Sequence, residues 1–293
     1  MDERAWWNEF GHLNEQVWQY NPELSRIVRS DYLAELETFL FKPDGRVLDI
    51  GCGHGWVGLR LAQRGMHLDG LDLSDAQIEE ARRRAAESGL PNVRFWRADA
   101  RTLERHGQYD SVIVHALLHH LDRDSQVGLL KSIADLLTEG GRVYLYEPLA
   151  PAPDPPLAVV VFDKALGGFM RGLTFTARVA GIMAPQFSAA QRRGWSMRSS
   201  DEAPIHLDNL LAARPDTLKV VSITTWQAYS IMYANLCMML RQPWQRWAGR
   251  LAPVFYRLDR LVLSRPWHRY LRGWPMAGIA LEKQRSEADT PPT

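Results

Sequence analysis

Between residues 46 and 150 short, continuously apolar runs alternate with stretches of helical periodicity, and this alternation restricts the chain to one fold class. Apolar runs without polar alternation mark strands covered on both faces, as in a parallel sheet held between two layers of helices. The pattern predicts strands at RVLDI (46–50), HLDGLDL (67–73), NVRFWRAD (92–99), YDSVIVHA (109–116) and GRVYLYEP (141–148). GWVGLRLAQRG carries helix periodicity and ends on Gly65, a C-cap signal. SDAQIEEARRRAAESG opens on Ser74 with Gln77 three residues later, a capping-box pattern, and SQVGLLKSIADLLTEGG reads as a helix ended by its glycines. Beyond residue 200, KVVSITTWQAYS (219–230) is read as a sixth strand and MAGIALEK (276–283) as a seventh. The expected fold is α/β: a doubly wound, Rossmann-like sheet, seven-stranded and mostly parallel.

The first strand runs into VLDIGCGHGWVG, whose glycines can be parsed in two ways. Gly53, Gly55 and Gly58 spell G-x-G-x-x-G, the dinucleotide fingerprint, while Gly51, Gly53 and Gly55 spell G-x-G-x-G. The fingerprint needs its first glycine directly after the buried strand. Starting at Gly53 would push Asp49 and Gly51 into inward positions. Starting at Gly51 lets Val47, Leu48 and Ile50 form the strand, but then Trp56 stands where a nicotinamide loop needs its third glycine. Register therefore rejects the dinucleotide reading, and Gly58 is set aside as coincidental to cofactor binding.

The surviving pattern, D-I-G-C-G-H-G, resembles the first motif of the class I methyltransferases that use S-adenosylmethionine (SAM), and the resemblance covers roughly residues 40–150. Further motifs fall in order: Asp72, 21 residues after Gly51; the Asp99–Ala100 pair; Asp110 opening YDSVIVH; and EGGRVYLYEP before the fifth strand. The resemblance implies that the seventh strand pairs antiparallel. It also implies that Asp49 meets the cofactor's amino group and that Gly51, Cys52, Gly53 and Gly55 let backbone approach its methionine and ribose parts. Asp72, with Leu73 beside it, would bind the ribose hydroxyls, since a carboxylate accepts two hydrogen bonds at once. Asp99 and Ala100 would contact adenine, and His115 would lie against the methionine end. SAM carries no phosphate, so a side chain such as His54 is tolerable in the loop.

Methyl transfer to oxygen gains from a base, and ligands of this fold sit beyond the carboxyl ends of the strands. The candidate bases there are His115, His119 and His120 in HALLHHLD and Glu147 at the end of strand five; positioning alone is the alternative. In the family an N-terminal helical segment folds over the cofactor as a lid. Residues 1–40 carry Trp6, Trp7, Phe10, Trp18 and Tyr20 at helix-compatible spacings, and aromatic faces suit a cationic sulfonium. Trp6 and Tyr20, with Trp195 from the first insertion, are the candidate acceptor contacts. No metal ligands are assigned.

The expected organisation is a single domain over 1–293: lid (1–40), SAM-binding core (41–150), substrate insertion (151–218), last two strands with a helical insertion (219–283) and a disordered tail (284–293). Within the first insertion SSDEAPI places Asp201 and Glu202 where they can cap a following helix. The second insertion, 241–272, holds eight arginines against one acid, Asp259, with Trp244, Trp247, Trp267 and Tyr270 interleaved. Such a stretch is compatible with peripheral membrane contact, or with an arginine-rich outer face of packed helices. Basic and acidic residues nearly balance overall (35 against 34), which argues against a nucleic-acid partner. Two cysteines suit a reducing compartment; MDERAWWNEF lacks the apolar core of a secretion signal, and no run of about 18 apolar residues occurs. The sequence thus points to a cytoplasmic enzyme acting on a small molecule, with a homodimer left open. A non-methylating SAM-fold protein, such as a regulatory partner or cyclase, and a methyltransferase of lipid- or glycan-linked substrates at a membrane are the alternatives.

Overall fold

The computed structural model describes residues 2–19, 22–103, 108–185, 190, 202–272 and 274–285. Seven strands form one sheet: β1 (Arg46–Ile50), β2 (His67–Asp72), β3 (Val93–Arg97), β4 (Tyr109–His115), β5 (Leu137–Pro148), β6 (Leu218–Gln227) and β7 (Met276–Lys283). Their spatial order is β3-β2-β1-β4-β5-β7-β6. Strands β1 to β5 are parallel, while β7 runs antiparallel to both β5 and β6. The expected doubly wound sheet is present, its order reversing between β1 and β4.

Helices α3 (Gly58–Ala62), α4 (Asp75–Glu87) and α5 (Arg123–Leu136) connect the parallel strands. Helices α1 (Glu3–Gln19) and α2 (Pro22–Leu40) precede the sheet. After β5 come α6 (Leu157–Val179) and α7 (Leu207–Ala213), and after β6 come α8 (Tyr229–Met238), α9 (Gln242–Gly249) and α10 (Ala252–Leu263). The apolar faces of α1, α6, α8 and α9 share one core, containing Phe10, Met170, Tyr233 and Ala248.

Three local expectations are corrected. The helix before β5 ends at Leu136, and the strand begins at once, so Gly140 and Gly141 sit inside β5 rather than closing the helix. Leu137 pairs with Tyr109 and the ladder shifts register before Ser111, so the glycines fall beside a strand irregularity. The sixth strand stops at Gln227, because the amides of Ala228, Tyr229 and Ser230 turn to the buried carboxylate of Asp259 and start α8. That cap comes from 29–31 residues away, beyond the reach of local periodicity. Finally, Ser74 caps α4 by accepting from the Gln77 amide, but the Ser74 amide donates to Asp72 Oδ1, which takes the place of the reciprocal half of a capping box.

Candidate active site

A cavity of about 300 Å³ opens at the carboxyl ends of β1 to β4, under α1. Sheet topology creates it: the crossovers leave β1 and β4 toward opposite sides, and the crevice falls at that reversal. Of the ten residues assigned to the cofactor, Asp49, Gly51, Cys52, Gly53, Asp72, Leu73, Asp99, Ala100 and His115 line this cavity.

The first loop is tied to the neighbouring strand, since the amides of Gly51 and Cys52 both donate to Leu71 O. Gly51 has φ +70° and a Cβ there would stand 3.0 Å from Leu117, so shape and backbone conformation both demand glycine. Gly55 does not line the cavity: a Cβ at this position would meet Phe95 at 2.7 Å, so its role is packing. Gly58 proves to be more than a coincidence of spacing. Its amide donates to Asp49 Oδ2 (3.1 Å), and a Cβ would come within 2.7 Å of Leu68 and 2.8 Å of that same oxygen.

Asp49 is buried, and its Oδ1 has no hydrogen-bond partner among the described residues. Burial, with the nearby Asp72 carboxylate, pushes its pKa up to about 7 although the Gly58 amide opposes the shift. Asp72 uses one oxygen for the Gly53 amide and the other for the Ser74 amide, both at 2.9 Å, which fixes its carboxylate at the rim. Asp99 accepts from the Arg101 amide and pairs with the Arg101 guanidinium at 2.6 Å.

The far wall is aromatic. His115 stacks on Tyr146 (centroids 4.8 Å apart), meets the edge of Trp56 and lies 3.3 Å from the Tyr32 hydroxyl. Burial, helped by the Arg29 charge, lowers its pKa to about 3, so it is a neutral ring. Arg29 lies 4.1 Å over Trp56, and both line the cavity.

The chain after β4 turns sharply at Ala116, which has φ +56°. Buried Glu147 holds that turn: Oε1 accepts from the Leu117 and Leu118 amides (2.9 and 2.8 Å) and Oε2 lies 2.7 Å from His119 Nδ1. Of the four candidate bases His115 and His120 line the cavity, and Glu147 and His119 stand behind them. His120 Nδ1 lies 2.8 Å from Glu3 of α1. Burial disfavours its charge, but the Glu3 bond and the Glu202, Glu3 and Glu147 carboxylates outweigh that and raise its pKa.

The candidate acceptor contacts are placed less directly. Trp6 is buried in the α1–α6–α8 core, while its neighbour Trp7 lines the cavity and packs against His120. Helix phase carries the missing signal, because Trp6, Phe10 and Leu13 form the i, i+4, i+7 stripe that faces inward. Tyr20 and Trp195 lie outside the described residues. Glu202 does not cap a helix, since α7 begins after His206; it lies against His120 instead. Arg29, Glu3 and Gln77 also line the cavity; the local sequence marks Gln77 only as a helix-capping residue and gives no signal for Arg29 or Glu3.

Residues 47–141 match the family model described as "Methyltransferase domain". The match covers 95 of the 293 residues. The fold of the whole chain is shared with magnesium protoporphyrin IX methyltransferase from Synechocystis PCC 6803, solved with bound SAH (15% identity, TM-score 0.54, covering 96% of this chain and 98% of that one). The [4+2]-cyclase SpnF has a similar fold (15% identity, TM-score 0.52, covering 88% of this chain and 82% of that one). In sequence the chain is 33% identical over 141 residues to the ubiquinone biosynthesis O-methyltransferase of Aeromonas salmonicida, which is 48% of this chain and 55% of the relative. It is 35% identical over 125 residues to the 2-heptyl-1-hydroxyquinolin-4(1H)-one methyltransferase of Mycobacteroides abscessus, 42% and 49% of the two chains. The chain thus spans about half the length of the curated relatives it matches.

Proposed function

We propose that the protein is a SAM-dependent methyltransferase that acts on a small-molecule acceptor, at oxygen, in a biosynthetic pathway. The observation that carries this reading is the unpartnered Oδ1 of buried Asp49 at the cavity wall. A buried acceptor left unsatisfied costs about 1–3 kcal/mol, and more when charged, so the site is built for a donor that arrives with the ligand. The cofactor's ammonium is such a donor. Asp72 retains lone pairs for the ribose hydroxyls, and Asp99 and Ala100 offer the adenine edge.

Bound SAM supplies an electrophilic methyl group on a sulfonium. The chain's own part is to align the acceptor and exclude water, a proximity effect that supplies roughly 7–11 kcal/mol when geometry is good. Trp7, Trp56 and neutral His115 give the cavity aromatic faces suited to a cation. His120 is the candidate group facing the acceptor, and Glu147 is a positioning residue that acts through His119 and the Leu117 turn. Oxygen as the target draws on the two relatives, an O-methyltransferase and a methyltransferase whose named substrate carries an N-hydroxyl.

Calorimetric titration with SAM and with NADH tests the reading, and saturable SAM binding with no NADH binding is expected. Release of S-adenosylhomocysteine in the presence of hydroxylated aromatic acceptors separates a methyltransferase from a non-methylating protein such as a cyclase. Turnover of acceptor without that product would overturn methyl transfer while leaving the cofactor site intact.

A second reading, that acceptors are met at an anionic bilayer, is favoured by the helices around α8. No helix among the described residues is long and apolar enough to cross a membrane. On α6, however, Leu157, Val161, Phe175 and Val179 are 58–78% exposed on the side opposite buried Val159, Met170 and Ala177. Trp244 and Trp247 of α9 and Val254 and Leu261 of α10 are exposed as well. The two acids of these three helices, Asp163 and Asp259, are buried, so Lys164, Arg171, Arg178, Arg246, Arg257 and Arg260 give the exposed charge a single sign. Apolar side chains among cations fit the surface of an anionic membrane. The protein is expected to float with phosphatidylglycerol vesicles and not with phosphatidylcholine vesicles, and Trp244→Ala/Trp247→Ala should release it. Equal recovery with both vesicle types, or with neither, retires this arrangement.

A further inference from the structure

We infer that His119, His120 and Glu202 form a binding site for a divalent transition-metal cation of the zinc class just behind the cavity wall, which His120 itself lines. One ligand atom from each of the three lies within 4.8 Å of the others, and no ion occupies the space. The two rings are close, with centroids 4.1 Å apart.

What distinguishes this cluster from ordinary polar packing is the way each ring is held. Nδ1 of His119 lies 2.7 Å from Glu147, and Nδ1 of His120 lies 2.8 Å from Glu3. A carboxylate on Nδ1 fixes that nitrogen as the N–H donor, so that in the neutral ring the lone pair lies on Nε2, the tautomer and orientation of metal-ligating histidines. Glu147 is fully buried and has its other oxygen on two backbone amides, so it cannot swing away. Nε2 of His119 has no hydrogen-bond partner among the described residues, although the residue is only 7% exposed. Nε2 of His120 stands 3.9 Å from Glu202 Oε1. That separation is too long for a hydrogen bond, yet close to the ~3.4 Å between two ligands of one tetrahedral zinc with bonds of ~2.0–2.1 Å. Side-chain rotation alone can close the difference.

The backbone brings the third ligand to the pair. The Ala203 amide donates to His119 O, Ile205 bridges to Leu149, and the Ile205 amide donates to Pro148 O. The segment carrying Glu202 is thereby pinned to the end of β5 and to the turn that carries both histidines. Two imidazoles and one carboxylate select a zinc-like ion over calcium or magnesium, which favour all-oxygen sites. Three protein ligands also leave a coordination position open. If the methyl-transfer reading holds, on which this further step rests, an acceptor hydroxyl in that position is oriented and made more acidic by the cation.

The test uses untagged full-length protein stripped with a chelator and titrated with Co²⁺. One equivalent should produce the visible absorption of tetrahedral Co²⁺, and Zn²⁺ should displace it. Glu202→Gln is expected to weaken Co²⁺ binding at least roughly tenfold, and His119→Gln to abolish the spectrum. SAM affinity of the Glu202→Gln protein, measured separately by calorimetry, should stay unchanged, which also shows that the variant is folded. Absence of the spectrum in the wild type, or a spectrum that survives Glu202→Gln unaltered, overturns the site. Because the readout is spectroscopic and needs no turnover, loss of the metal site and loss of the methyltransferase reading are separate results.

Discussion

Replacing Asp49 by Asn is expected to weaken cofactor binding strongly while raising the melting temperature of the free protein above neutral pH. Burial holds the Asp49 pKa near 7 in the folded chain, against about 3.9 for a carboxyl in water. A raised pKa means that the fold favours the protonated form. The contribution of this group is therefore whole below the ordinary carboxyl value and is lost as pH rises through about 7. Near pH 8 the ionised group costs the free fold roughly 4 kcal/mol, at about 1.4 kcal/mol per pKa unit. Asparagine keeps an oxygen for the Gly58 amide and carries no charge, so it escapes that cost. The difference in melting temperature between variant and wild type should be several degrees at pH 8 and shrink toward pH 5.

Cofactor binding should respond with the opposite sign. Only the ionised carboxylate gives the ammonium a charge-assisted bond, so wild-type affinity for SAM is expected to tighten as pH rises from 6 to 8. Losing that bond should weaken binding by at least ~100-fold in Asp49→Asn, the size expected for one partner of a buried charged pair. Scanning calorimetry across pH together with SAM titration measures both halves. A variant that binds SAM within a few-fold of wild type, or that melts lower at pH 8, would contradict the assignment.

The second large effect is structural. Asp259→Ala is expected to destabilise the fold by about 3–5 kcal/mol, because it strips three backbone amides and the Ser230 hydroxyl of their only named carboxylate. The amides lie at the start of α8, around which α6, α9 and α10 pack, so the loss should spread into that helical layer. Asp259→Asn, which retains one oxygen, should fall between. Chemical denaturation reads the difference, and an alanine variant within about 1 kcal/mol of wild type, the range of ordinary substitutions, would show that Asp259 is dispensable.

Asp259 also shows where the sequence stops being informative. It stands out as the single acid among the eight arginines of 241–272, which marks it as unusual without indicating that it points inward to cap a helix 30 residues earlier. Glu147 behaves in the same way. A carboxylate ending β5 beside the crevice reads as a base, yet its two oxygens are already given to two amides and a histidine. Gly58 runs in the other direction, since register separates it from the cofactor while the packed helix needs its missing side chain.

By itself the sequence determined the sheet, the crevice and many of the residues that line it. Those features follow from short-range regularities: apolar runs set the strands, glycines set the turn after β1, and Asp72 and Asp99 fall at strand ends that the parallel topology brings to one edge. Tertiary structure alone decided which side chains complete the wall. The choice of Trp7 over Trp6 came from the phase of α1 against its core, and the meeting of His120 with Glu3 and Glu202 joins residues more than 80 positions apart. Local periodicity carries no record of such contacts, because they exist only once separate elements have packed.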